Sequence, residues 1–136
     1  MRVRDLMNPD VITCPPSTGI AEVARTMKVR NIGMIPVIEG DRLLGVVTDR
    51  DITTRCVASG NIDRPVAEVL HGEAVCVSPD ATVEEAARAM VEYKIRRLCV
   101  TQDGRILGIL SLDDLPRAGQ PELVAEVLRQ ILPDRG

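Results

Sequence analysis

Shifted against itself by 63 positions, the 136-residue chain aligns residues 3–52 with residues 66–115 without a gap. Twelve of the fifty pairs are identical, where composition alone gives roughly three. Pro16 pairs with Pro79, Arg25 with Arg88, Met27 with Met90, Ile32 with Ile95, Gly45 with Gly108 and Asp51 with Asp114. About as many more exchange one aliphatic for another, Asp for Glu, or Thr48 for Ser111. A tandem duplication restricts the fold to one unit built twice. About 50 residues bury too little apolar surface to stand alone, so the two copies are expected to face each other across one core.

Each copy carries the same local pattern. A short apolar strand (Val11 to Thr13; Val75 to Val77) stops at proline. A helix follows whose apolar face is Ile20, Val23, Ala24 and Met27 in one copy and Val83, Ala86, Ala87 and Met90 in the other. Thr82 and Glu85 have the spacing of a capping box; in the first copy Gly19 takes the cap position and Glu22 remains. Two β-rich runs come next, MIPVIE and LLGVVT across Gly40-Asp41, then RLCVTQ and ILGILS across Asp103-Gly104. Both dipeptides are hairpin signals. The unit reads strand, helix, strand, strand, helix. Residues 53–65 close the first copy and link it to the second, and PELVAEVLRQIL, 121–132, reads as a further amphipathic helix.

Composition narrows function. With 17 basic and 20 acidic residues interspersed, a net charge of −3 and one aromatic residue, the chain has neither the basic stripe nor the stacking platform of a nucleic-acid binder. No apolar run approaches the roughly 18 residues of a membrane span, and MRVRDLMNPD has no signal-peptide core, so the expected location is cytoplasmic. Cys14, Cys56, Cys76 and Cys99 form no C-x-x-C pair and His71 is the one histidine, which argues against a zinc site and for buried thiols. His71 itself reads as a solvated turn residue.

The most informative repeated feature is G-V-V-T-D-R-D-I, 45–52, against G-I-L-S-L-D-D-L, 108–115. A hydroxyl at a strand end with a carboxylate three residues on is the pattern of a helix cap. Two details point past capping. A capping box prefers Glu or Gln, whose longer side chains reach back, yet both copies carry Asp. Both also place Gly inside an apolar strand, where it costs stability unless backbone or ligand approaches closely. A helix start with free N–H groups and a hydroxyl suits a phosphate, and a fixed carboxylate one turn in suits a vicinal diol. Phosphate plus diol describes a ribonucleotide.

With V-R-D-L-M near the start, N-I-G-M-I-P-V, I-R-R-L-C-V and the two closing turns, residues 1 to about 117 resemble a tandem pair of CBS domains, a Bateman module. The resemblance implies an α/β (α+β) fold of two gapless β-α-β-β-α repeats packed through their sheets as a pseudo-twofold pair. Repeat 1 then covers 1–62, repeat 2 covers 63–117, and 118–136 forms the C-terminal helix and tail. It also implies clefts for AMP, ADP, ATP or S-adenosylmethionine. Asp51 and Asp114 would hold ribose, and Thr48 and Ser111 would face phosphate. Ile12, Thr13, Cys14, Ile35 and Pro36 would lie against adenine in one cleft, and Val75, Cys76, Val77, Leu98 and Cys99 in the other. Arg97 would meet phosphates. The copies depart from each other where Met34 matches Arg97, Pro36 matches Cys99, and Arg50 matches Asp113. The carboxylate of Asp113 repels phosphate, so the cleft built on Thr48, Arg50 and Asp51 is favoured.

No nucleophile-base pair, P-loop or carboxylate cluster is present in the sequence, so enzymatic activity is not expected, nor any required cofactor. The leading expectation is a regulatory homodimer that senses an adenosine-containing ligand and signals to a protein effector. The alternatives are an interaction or scaffold dimer with unoccupied clefts, and a thiol redox sensor using Cys14, Cys56, Cys76 or Cys99.

Overall fold

The computed structural model describes residues 1–70 and 74–132. A short helix α1 (Val3–Leu6) precedes α2 (Ile20–Arg30), strands β1 (Met34–Glu39) and β2 (Arg42–Thr48), and α3 (Asp49–Asp51), which runs directly into a π-helical segment at Ile52–Val57. After a 3₁₀ turn at Val66–Val69 come β3 (Cys76–Val77), α4 (Val83–Tyr93), β4 (Arg97–Gln102), β5 (Arg105–Ser111), a 3₁₀ segment at Leu112–Ala118, and α5 (Pro121–Ile131). The fold is mixed α+β, as expected.

The duplication persists in the hydrogen-bond register. Met34 lies opposite Thr48 in the antiparallel β1–β2 pair, with a bulge between Val37 and Ile38. Arg97 lies opposite Ser111 in the β4–β5 pair, with a bulge between Val100 and Thr101. A parallel contact between Cys14 and Val37 recurs as that between Val77 and Val100. The strand expected at Val11–Thr13 is reduced to this single bridge at Cys14, and its counterpart to Cys76–Val77. Pro15 and Pro16 in one copy and Pro79 in the other explain the shortness, because proline has no N–H for a ladder. The hairpins differ in turn type. Gly40 alone has a positive φ (65°) in the first, whereas Asp103 (54°) and Gly104 (80°) both do in the second.

By packing, the chain divides into two compact units: Val11–Ala74, and Met1–Asp10 together with Val75–Gly136. Residues 1–10 belong to the first repeat by register yet dock within the unit of the second. Val3 N donates to Ala81 O at 2.9 Å and Arg4 N to Pro79 O at 3.0 Å, while Asn8 and Ile109 exchange backbone bonds of 2.9 and 3.0 Å. Val3 and Leu6, three apart on one helical face, are buried there. Each unit also has its own buried cluster, where the size of the repeats suggested one shared core. In Val11–Ala74 the α2 face Ile20, Val23 and Met27 packs with Ile35, Val37 and Val47. In the other unit the α4 face Val83, Ala86, Ala87 and Met90 packs with Leu98, Val100 and Leu110, and α5 adds Val127. Each fully buried Val, Leu, Ile or Met contributes about 1.5–3 kcal/mol, which is why these two faces fix the helices.

Helix ends follow the same duplication. α2 and α4 close on left-handed residues, Asn31 (φ 54°) and Lys94 (φ 53°). Thr82 Oγ1 accepts from Glu85 N at 3.1 Å, but Glu85 remains exposed and sends no bond back, so only half of the expected box forms.

Candidate functional site

At the end of β2 the extended backbone of Thr48 (φ −113°, ψ 162°) stops the ladder and starts a helix. Asp51 N donates to Thr48 Oγ1 at 3.1 Å. In return Asp51 Oδ2 accepts from Thr48 N at 2.9 Å and from Thr48 Oγ1 at 2.8 Å. The shorter carboxylate therefore does reach back, and the length of Asp is no evidence against capping. The neighbouring donors are also engaged: Asp49 N with Gly33 O at 3.0 Å, and Arg50 N with Asp49 Oδ1 at 2.8 Å. An anion at this turn would have to compete with the protein's own oxygens for these N–H groups. Asp51 is the one buried charged side chain among the described residues, and Arg55 Nε stands 3.9 Å from its Oδ1. The exposed Arg50 side chain forms no hydrogen bond or ion pair with the described residues.

The second turn is a variant of the first. Ser111 N donates to Asp114 Oδ2 at 2.8 Å, Asp113 N to Ser111 Oγ at 3.2 Å, and Leu112 N to Arg96 O at 2.7 Å. Arg117 Nη2 bridges Asp114 Oδ1 at 3.0 Å and Leu6 O at 2.5 Å, tying the turn to the docked N-terminal arm. Asp114 is more open than Asp51, with 22% of its side chain exposed against 6%. The helix that follows is 3₁₀ rather than π. Pro116 occupies the position of Thr53 and lacks the N–H that a wider helix would use.

The glycine before the second turn has a structural cause. A Cβ on Gly108 would stand 2.7 Å from Met7 Sδ and 2.9 Å from Asn8 O. The close approach expected there is made by the protein's own N-terminal arm.

The adenine-facing candidates divide by sheet face. Ile35 and Leu98 point into the helix-packed cores and are 1% and 0% exposed, so what they can offer a ligand is main chain. Cys14 N donates to Pro36 O at 3.2 Å and Cys14 O accepts from Ile38 N at 2.9 Å. The half-buried Ile12 and Thr13 precede Cys14 in a segment parallel to β1, and so lie toward its Thr48 end. In the other unit Val75 O accepts from Cys99 N at 3.0 Å, and Cys76 faces Cys99 in register. Arg97, opposite Ser111, is exposed and makes no ion pair with the described residues, while Met34, its counterpart opposite Thr48, is buried. Each turn thus has beside it one arginine without an ion pair among the described residues, from within the turn in one unit and from across the strand pair in the other. Arg55 and Arg117, which touch the two aspartates, were missed in the sequence although each sits one helical turn beyond its Asp. His71 lies outside the described residues. Burial pushes the Cys14 thiol pKa up, which makes that cysteine a packing residue.

A model of the CBS domain matches residues 3–57 and 66–120. The chain belongs to the CBS-domain family. The CBS domain-containing protein YhcV of Bacillus subtilis (strain 168) is 40% identical over 114 residues, spanning 83% of this chain and 81% of that protein. The crystal structure of CBSX2 in complex with AMP is 28% identical, with a TM-score of 0.78 and coverage of 89% of this chain and 97% of that one. The hexameric CBS-CP12 protein from bloom-forming cyanobacteria is 30% identical, with a TM-score of 0.76 and coverage of 90% and 74%. Among the described residues no helix is long and apolar enough to cross a membrane, and no three His, Cys, Asp or Glu side chains gather as metal ligands.

Proposed function

We propose that this CBS pair is a regulatory module that binds an adenine nucleotide, with AMP the first ligand to test, and passes its occupancy to a protein effector. The observation that carries the reading is the recurrence, in each unit, of a hydroxyl-x-x-Asp turn beside an arginine that has no partner among the described residues: Arg50 next to Thr48 and Asp51, and Arg97 opposite Ser111. An unpaired guanidinium is suited to phosphate, and the aspartate to a ribose diol. The crystallised complex of the CBSX2 protein with AMP supports the ligand class. Assembly as a homodimer in the cytoplasm belongs to the same proposal, and the hexameric CBS-CP12 protein supports self-association. The turn at Thr48 is preferred because Asp113 adds a like charge at the second turn and Arg117 already occupies Asp114.

One observation favours the competing reading of a scaffold dimer: the N–H groups that open the first turn are already bonded within the protein. A thermal-shift panel with AMP, ADP, ATP, NAD and S-adenosylmethionine separates the two. A ligand at 100 times its Kd stabilises by about 2.7 kcal/mol, a readily measured rise in Tm. Titration calorimetry of Asp51→Asn and Asp114→Asn then locates the site, with a loss of tenfold or more expected for Asp51→Asn and a smaller loss for Asp114→Asn. No stabilisation by any member of the panel would favour the scaffold, and loss of binding in Asp114→Asn alone would move the site to the second turn.

A further inference from the structure

Cys76 and Cys99 are 23 positions apart in sequence and adjacent in space. They are register partners in the parallel β3–β4 pair, so their side chains leave the same face. Adjacent strands lie about 4.7–4.9 Å apart, within the roughly 4.4–6.8 Å between Cα atoms that a disulfide spans. Each thiol perturbs the other's titration, and the hydroxyl of Thr101, two residues beyond Cys99, also acts on Cys76. Exposure divides the pair: Cys76 is exposed on the outermost, two-residue strand, and Cys99 is 2% exposed on β4. The duplication supplies an internal comparison, because the same positions in the first repeat are Thr13 and Pro36. The register does not need sulfur there, so the pair is particular to the second repeat.

We propose that Cys76 and Cys99 form a two-cysteine site that reacts with hydroperoxides and closes to an intramolecular disulfide. Cys76 is the attacking thiol. Donation from the Cys99 S–H, and then from Thr101, outweighs burial and lowers the Cys76 pKa from the ordinary 9.0 to about 6. The shift favours the thiolate form of Cys76 at neutral pH. Contact with Cys76 and burial push the Cys99 pKa up, so Cys99 keeps its proton until needed. In the first step the Cys76 thiolate attacks the peroxide O–O bond. An S–O bond forms, the O–O bond breaks, and the alkoxide leaves and is protonated, so that sulfur has given up two electrons and become a sulfenic acid. In the second step Cys99 sulfur attacks Cys76 sulfur, the S–S bond forms, and the hydroxyl leaves with the Cys99 proton as water.

The test uses hydrogen peroxide on the full chain at pH 7. The thiol titre should fall from the four cysteines of the sequence to two, with loss of two hydrogens in the intact mass and a Cys76–Cys99 link in the peptide map. Weighing thiolate fraction against the lower nucleophilicity of a less basic thiol, Cys76 should be consumed at least about threefold faster than Cys14. In Cys99→Ser, Cys76 should instead accumulate as a sulfenic acid trapped by dimedone, and Cys76→Ser should keep its remaining three thiols. A link between two chains through Cys76, over-oxidation of Cys76 without the link, or equal loss of all four thiols would overturn the assignment. Mapping of the unsubstituted protein decides these outcomes even if Cys99→Ser folds poorly.

Discussion

Gly108→Ala tests the docking of the N-terminal arm. The added methyl would meet Met7 Sδ at 2.7 Å and Asn8 O at 2.9 Å. Met7 sulfur ends a flexible chain and can swing away. The Asn8 carbonyl cannot move freely, because it accepts from Ile109 N at 3.0 Å in a reciprocal backbone bridge. Overpacking costs about 1–3 kcal/mol, and a weakened bridge about 0.5–1.5 more. Alanine recovers roughly 0.5–1 kcal/mol through its lower chain entropy in a strand. The net is a loss of about 1–3.5 kcal/mol, or roughly 4–14 °C in Tm for a chain of this size. Urea titration followed by circular dichroism should show a lower midpoint with an unchanged slope, the mark of altered stability without altered exposure. A second substitution, Met7→Ala, separates the two contacts: recovery would assign the clash to sulfur, and no recovery to the carbonyl. A Gly108→Ala protein as stable as the parent to within about 0.5 kcal/mol would refute the tight approach of residues 7 and 8 to β5.

Three further outcomes follow from the same geometry. Lys94→Gly should stabilise the fold by about 0.5–1 kcal/mol, because a lysine is held at φ 53°, whereas Asn31→Gly at φ 54° should gain less since asparagine tolerates that region; denaturant midpoints check both. Thr82→Ala should cost about 1 kcal/mol through loss of the bond to Glu85 N, whereas Thr82→Gly should cost only a few tenths by the same midpoints. Between about pH 6 and 9 the folded state has released a proton from Cys76 that the unfolded chain retains, so stability should rise with pH there; above 9.0 the raised Cys99 pKa reverses the sign, because the unfolded chain then loses two protons and the folded state one. Chemical denaturation across pH should therefore show a maximum near 9 from this pair, and Cys76→Ser should remove the rising limb.

Much of the fold is legible in the sequence because the repeat supplies its own control. The helix faces Ile20/Val23/Met27 and Val83/Ala86/Met90 have one spacing in both copies, and both hairpin dipeptides turn where they were expected. The docking of residues 1–10 was not legible. Register assigns VRDL to the first copy, and nothing local in Val3 or Leu6 says which apolar surface covers them. The faces of β1 were also hidden, since MIPV is buried on both sides and shows no alternation to place Ile35 in the core and Pro36 on the other face. In the candidate site, the spacing of Thr48 and Asp51 was plain, but whether an aspartate closes the cap depends on backbone angles that spacing does not carry. The two thiols of Cys76 and Cys99 meet only through strand register, a long-range property that 23 intervening residues conceal.

The discontinuous unit also sets an order of events on the ribosome. Residues 1–10 emerge ahead of the surface that buries Val3 and Leu6, which is built from α4, β4 and β5, all encoded after Ala74. At roughly 5–20 residues per second, translation of Val11–Ala74 alone keeps the arm waiting about 3–13 s. In that interval the middle of the chain holds a complete unit of its own and can fold, while the arm, with apolar side chains uncovered, is open to capture by a chaperone or by another nascent copy. The segment made later closes over the arm made earlier, and a ribosome stalled within β4 would leave Val3 and Leu6 without the surface that buries them.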